Sequence, residues 1–137
     1  MTSGVASQRH GILAIDDESD FLLLLKAALE CHGYEVHTAS NPKEAIRFYG
    51  ERRRDISMVL LDYLFPETSG DAVFESLQRL NPDVRVVLVT GCEESVAEDM
   101  LRKGLRGYLQ KPFDLPDLAQ KVSDAINAPS LSSPSPA

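Results

Sequence analysis

Cysteine is scarce in this chain. Only Cys31 and Cys92 occur among 137 residues, with no metal-ligand spacing and no disulfide framework. Two such thiols read as reduced side chains of a cytoplasmic protein. Positive charge is also in short supply. Fourteen Lys and Arg against 21 Asp and Glu give a formal net charge of −7, which argues against a nucleic-acid-binding face, since that needs a basic patch. The one basic run, Arg52-Arg53-Arg54, is flanked by Glu51 and Asp55 and reads as a solvated helix end. Long hydrophobic runs are missing too. The longest aliphatic-aromatic stretch, Phe21 to Leu25, cannot span a bilayer, and residues 1–10 hold no hydrophobic signal region. Neither nucleic acid nor membrane is expected as a partner of this chain.

What is present suits one compact domain, with 43% apolar residues to build a single core. There is no internal repeat and one compositional break. Residues 1–10 read as a flexible N-terminal segment, 11–127 as the domain, and the Pro/Ser-rich 128–137 as a tail or linker stub. Strands are expected at 12–16, 34–38, 57–62, 84–90 and 105–110. The runs at 57–62 and 84–90 are almost wholly apolar, as in central strands covered on both faces. Helices fill the intervals. The first is capped at Ser19 or Asp20 and stopped by Gly33; the second opens on Asn41-Pro42. A third runs from Gly70 or Asp71 to Leu80, a fourth from Glu93 to Lys103 before Gly104, and a fifth from Asp114 to Ile126. Five β-α units with short loops predict an α/β fold, a doubly wound five-stranded parallel sheet; if its strand order is 2-1-3-4-5, the fold is flavodoxin-like (βα)5.

Four apolar runs end on residues with useful chemistry. Leu13-Ala14-Ile15 leads into Asp16-Asp17, Met58 to Leu61 into Asp62, Val86 to Val89 into Thr90, and Tyr108-Leu109-Gln110 into Lys111-Pro112. In an open parallel sheet ligands bind at the carboxyl ends of strands, where the strand order reverses. Asp16, Asp17 and Asp62 would converge there. Packed carboxylates raise one another's pKa unless a cation relieves them, and hard oxygen ligands without His or Cys favour Mg²⁺. Alone, Asp16-Asp17-Glu18 reads equally well as a helix-start charge cluster; the matching Asp62 favours a site. Asp62 is the candidate nucleophile, because a carboxylate can take a phosphoryl group as an acyl phosphate. Thr90 would donate its hydroxyl to a phosphoryl oxygen, and Lys111 would pair with Asp62 or its phosphate.

These motifs resemble the receiver domain of two-component response regulators over roughly residues 11–127. The likeness rests on Ile15-Asp16-Asp17, Leu61-Asp62-Tyr63-Leu64-Phe65-Pro66 with Gly70, Val89-Thr90-Gly91, and Gly107-Tyr108-Leu109-Gln110-Lys111-Pro112-Phe113. The resemblance implies a signalling module that catalyses its own phosphorylation and dephosphorylation rather than an enzyme. It implies Mg²⁺ held by Asp16, Asp17, Asp62 and the backbone carbonyl of Leu64, and a switch pair of Thr90 and Tyr108 that alters the surface of the fourth helix, fifth strand and fifth helix. Implied partners are a histidine kinase or phosphotransfer protein, an output domain or downstream protein, and a second copy in a phosphorylation-dependent homodimer. An aspartyl phosphatase or mutase would carry a second acid where Leu64 stands. A flavin-binding relative would carry a Ser/Thr/Gly-rich loop where Asp16-Asp17-Glu18 stand.

Two readings concern this chain in particular. In the first helix Leu24, Leu25, Ala28 and Leu29 are expected to face inward, with Phe21 at the rim and Leu22-Leu23 outside, either as a partly shielded helix start or as a docking patch for kinase helices. Leu64 and Cys92 flank the expected phosphate. Neither positions a water as an amide or carboxylate does, so slow loss of the phosphoryl group is expected.

Overall fold

A computed structural model describes residues 9–91 and 93–129. The expectations for the segment before residue 9, for Cys92 and for the tail from residue 130 lie outside the described residues. In chain order the elements are β1 (Gly11–Ile15), α1 (Ser19–Glu30), β2 (Glu35–Ala39), α2 (Pro42–Arg52), a 3-10 turn (Arg53–Asp55), β3 (Ile56–Leu61), α3 (Gly70–Leu80), β4 (Val86–Thr90), α4 (Glu94–Arg102), β5 (Gly107–Gln110) and α5 (Leu115–Asn127). The sheet is wholly parallel, with order β2-β1-β3-β4-β5. That is the expected doubly wound topology, and it puts β1 beside β3.

Alternate residues of each strand feed opposite layers. Leu13, Ile15, Val59, Leu61, Val86 and Leu88 pack with Tyr49, Phe74, Leu77 and Met100 from α2, α3 and α4. Ile12, Ala14, Met58, Leu60, Val87 and Val89 pack with Leu25, Leu29, Leu118 and Val122 from α1 and α5. Both faces of β1, β3 and β4 are therefore buried, which is why their sequences read as continuous apolar runs.

Helix ends largely follow their local chemistry. The Asn41 side chain accepts from the Glu44 N–H at 3.1 Å, with Pro42 opening α2. Gly33 and Gly104 take φ of 89° and 114° after α1 and α4. The expected cap of α1 is corrected, however. Glu18 holds that position without a side-chain cap: its carbonyl accepts the first helical bond, from the Leu22 N–H at 3.1 Å, while its own N–H is turned back onto Asp16 Oδ1 at 2.9 Å.

The inward face of α1 is corrected as well. Leu22, Leu25 and Leu29 are buried, while Leu23 and Leu24 are 65% and 49% exposed. Leu22 thus belongs to the core and Leu24 to the surface, the reverse of the expectation. Both stripes have helical spacing, and five apolar residues in a row leave the helix free to rotate. Packing against Val36 and Ile12 selected the stripe at 22, 25 and 29.

Candidate functional site

Register brings the acids together. Ile15 pairs with Leu61 across β1 and β3, so Asp16 and Asp62 each stand one residue beyond a matched pair. The Asp62 N–H donates to the Ile15 carbonyl at 3.0 Å, extending the ladder into the site. Asp16 and Asp62 are buried and Asp17 is exposed. One carboxylate oxygen from each lies within 4.8 Å of the other two. Thr90, buried at the end of β4, faces Gln110 in the β4–β5 register, and the next N–H, of Lys111, donates to the Thr90 carbonyl at 3.0 Å. Lys111 is thereby delivered to the same crevice, with a cis Lys111–Pro112 bond behind it.

The ammonium takes a different first partner from the expected one. Lys111 Nζ lies 3.0 Å from Asp16 Oδ2 and 3.9 Å from both Asp62 Oδ2 and Glu18 Oε1. Burial pushes the Asp16 carboxyl above its ordinary value, and the Asp62 charge adds to the push. The Glu18 N–H and the Lys111 ammonium hold it back. Burial, more than the neighbouring negative charge, keeps the carboxyl raised.

The loop after Asp62 is tied at several points. The Tyr63 N–H donates to Asp62 Oδ1 at 2.7 Å, the Gly70 N–H to the Tyr63 carbonyl at 2.6 Å, and the Tyr63 hydroxyl to Asp71 Oδ2 at 2.9 Å. A Cβ at Gly70 would sit 2.8 Å from the Asp62 carbonyl oxygen, so only glycine lets α3 begin this close to the acceptor strand. Leu64 forms an isolated bridge with Ser69 and turns its side chain to solvent, 63% exposed. Tyr108, opposite Leu88 on β5, is half-buried against the α2–α4 layer.

Three contributors carried no sequence signal strong enough to single them out. Glu18 reaches Lys111 from the turn before α1; Tyr63 orients Asp62 through its backbone; Phe21 sets its ring 4.1 Å from Lys111 Nζ. The donor set itself is all oxygen, small and clustered, which fits a hard divalent cation. Together the groups can hold such a cation beside a nucleophilic carboxylate and meet anionic oxygens with an ammonium and a hydroxyl.

Known proteins carry the same arrangement of sequence and fold. The family model of the response regulator receiver domain matches residues 12–123. The transcriptional regulatory protein PrrA of Mycobacterium tuberculosis is 36% identical over 124 residues, covering 89% of this chain and 51% of that protein. The chain thus spans about half the length of that curated relative. Among solved structures, a response regulator receiver domain protein from Clostridium thermocellum matches with a TM-score of 0.82 and 34% identity, covering 86% of this chain and 94% of that one. The response regulator protein TrrA from Thermotoga maritima, solved in complex with Mg²⁺ and BeF, matches with a TM-score of 0.74 and 30% identity, covering 85% and 98%. No helix among the described residues is long and apolar enough to cross a membrane. With its parallel sheet, its strand-end acids and a family match over most of its length, this chain belongs to the response regulator receiver domains, signalling modules of two-component systems.

Proposed function

We propose that Asp62 is the phosphoacceptor of this receiver and that a histidine kinase or phosphotransfer protein supplies the phosphoryl group. What carries this reading is the meeting of Asp16, Asp17, Asp62 and Lys111 in one crevice at the ends of β1, β3 and β5. An Asp62 carboxylate oxygen attacks phosphorus as the P–N bond to the partner's histidine breaks. The electron pair leaves on the imidazole nitrogen, which takes a proton from water. Mg²⁺ bound by Asp16, Asp17, Asp62 and the Leu64 carbonyl would neutralise charge on the transferred group. Lys111 meets one phosphoryl oxygen with its ammonium and Thr90 another with its hydroxyl. Hydrolysis reverses the bond at Asp62: water attacks phosphorus and the carboxylate departs.

Signalling follows from a biased equilibrium rather than a new structure. Thr90 moves toward the phosphoryl group and Tyr108 follows inward, changing the α4-β5-α5 surface that an output domain, a downstream protein or a second copy reads. The exposed Leu23 and Leu24 in the first two turns of α1 offer kinase helices an apolar contact near the acceptor. The setting is cytoplasmic.

Acetyl phosphate and Mg²⁺, followed by intact-mass measurement, test the reading. Wild-type protein should gain one phosphoryl mass and Asp62→Asn none, since the amide keeps the shape without the nucleophile. Equal uptake by Asp62→Asn would sink the assignment. Multiple turnover of phosphate esters would point instead to a phosphatase.

A further inference from the structure

Three of the neighbours of the Lys111 ammonium are carboxylates, and a fourth is not. The Phe21 ring centroid lies 4.1 Å from Nζ, within the distance at which an aromatic face attracts a cation. Phe21 is in turn met by Phe113 with centroids 6.0 Å apart and ring planes at 77°, the T-shaped arrangement aromatic pairs prefer. Phe21 comes from the first turn of α1 and Phe113 from the loop after β5. Segments on both sides of the crevice therefore close around one ammonium, whose side chain is 23% exposed.

We infer that Phe21 is a positioning residue for phosphoryl transfer, its ring face seating the Lys111 ammonium between Asp16 and Asp62. The inference rests on Asp62 being the acceptor. A lysine carries a strongly hydrated point charge on a flexible four-carbon stem, and holding it in one place costs rotamer freedom. The ring replaces hydration on one side of Nζ with a π-face. The ammonium then stays 3.0 Å from Asp16 and 3.9 Å from Asp62, where an oxygen of a phosphoryl group on Asp62 finds it already in place. Phe21 also borders the α1–α5 layer of the core. A ring needed only for that packing could be exchanged for leucine with no consequence at Lys111. One needed for its face could not.

Rates of phosphoryl uptake from acetyl phosphate with Mg²⁺ would be measured by intact mass for wild type, Phe21→Leu, Phe21→Tyr, Lys111→Met and the Phe21→Leu/Lys111→Met double variant. Phe21→Leu should slow uptake about three- to tenfold, and Phe21→Tyr, which keeps the ring, should stay within about twofold of wild type. In the Lys111→Met background Phe21→Leu should add nothing, because the group it seats is gone. In the unphosphorylated proteins, NMR should show the Lys111 methylene protons next to Nζ shifted upfield by the ring, and released from that shift in Phe21→Leu. A wild-type rate in Phe21→Leu, or the same slowing with and without the Lys111 ammonium, would overturn the inference. A wild-type protein that takes up no phosphoryl group would instead overturn the acceptor assignment beneath it.

Discussion

The two rims of the sheet treat their polar groups in opposite ways. At the amino-terminal rim, Arg85 Nη1 donates to the carbonyls of Ala125 at 2.8 Å and Ile126 at 2.9 Å, and also to that of Ala128. The first two are among the last carbonyls of α5, which have no partner inside the helix, and Ala128 is the residue that follows it. Asn81 Nδ2 donates to the Tyr49 hydroxyl at 3.0 Å, and the His10 and Ser57 side chains meet at 2.8 Å. Arg106 Nη1 donates to the Pro129 carbonyl at 2.8 Å; its Nε and Nη2 have no hydrogen-bond partner among the described residues. Burial first, and then the nearby Arg85 charge, hold the Arg106 guanidinium below its ordinary value. At the carboxyl-terminal rim three acids crowd around one lysine, and burial raises Asp16 against its own charge. One rim joins helix to sheet. The other gathers carboxylates around a lysine, a local cost of the kind functional sites carry while the rest of the fold compensates.

The difference is sharpest in what each rim loses to a single substitution. Asp62→Asn should abolish phosphoryl uptake completely while leaving the fold intact, the largest functional effect expected. Arg85→Ala should act on the other quantity. It leaves three carbonyls without their charged donor, and should lower stability by about 2 kcal/mol, or a melting temperature lower by roughly 6–10 °C. Phosphoryl uptake of the folded variant should be close to wild type. An Arg85→Ala protein that melts with wild type would erase the contrast.

Asp16→Asn should have the opposite sign to Arg85→Ala and a smaller size. The Asp16 carboxyl is raised in the folded state, so the fold binds its proton more tightly than the unfolded chain does. Stability from that proton is fully present below the ordinary carboxylate pKa and lost as pH rises through the raised folded value. Metal-free Asp16→Asn should therefore melt above wild type at pH 7, with the gap closing toward pH 4. Mg²⁺ should stabilise wild type more than the variant. A variant less stable than wild type at pH 7 without metal would mean that the Lys111 pair outweighs the burial.

Two smaller effects belong to the site rim alone. Thr90→Ala should still permit phosphorylation but uncouple it from Tyr108; the tyrosine ring resonances should then move with beryllofluoride in wild type and not in the variant. An equal ring shift in both would refute the coupling. Leu64→Asn should speed loss of the phosphoryl group several-fold, a barrier change of order 1 kcal/mol, because an amide on that exposed loop can align the attacking water. Equal or slower loss would remove Leu64 from control of the lifetime.

The legible parts of the molecule share one property: their signal is local or periodic. Continuous apolar runs announced β1, β3 and β4, and the residues ending them announced Asp16, Asp62, Thr90 and Lys111. Asn41-Pro42 announced a helix start that the Asn41 side chain does cap. The misread parts depend on orientation. Phe21 to Leu25 allows two apolar stripes of equal helical spacing, and only the sheet beneath decided that Leu22 is buried and Leu24 exposed. Ser19 and Asp20 looked like caps, yet the first helical bond, from the Leu22 N–H, reaches back to the Glu18 carbonyl.

From the sequence by itself came the fold class and the identity of the acids, hydroxyl and ammonium at the strand ends, because strand burial and ligand chemistry are written residue by residue; the strand order followed from the family resemblance. Tertiary structure alone decided which carboxylate Lys111 meets at 3.0 Å, which leucines of α1 face water, and that Phe21 lies over the ammonium. Those outcomes depend on the rotation of α1 and on the path of the chain after β5. The first is settled by packing of α1 on β1 and β2, the second by contacts between segments some ninety residues apart; no local pattern encodes either.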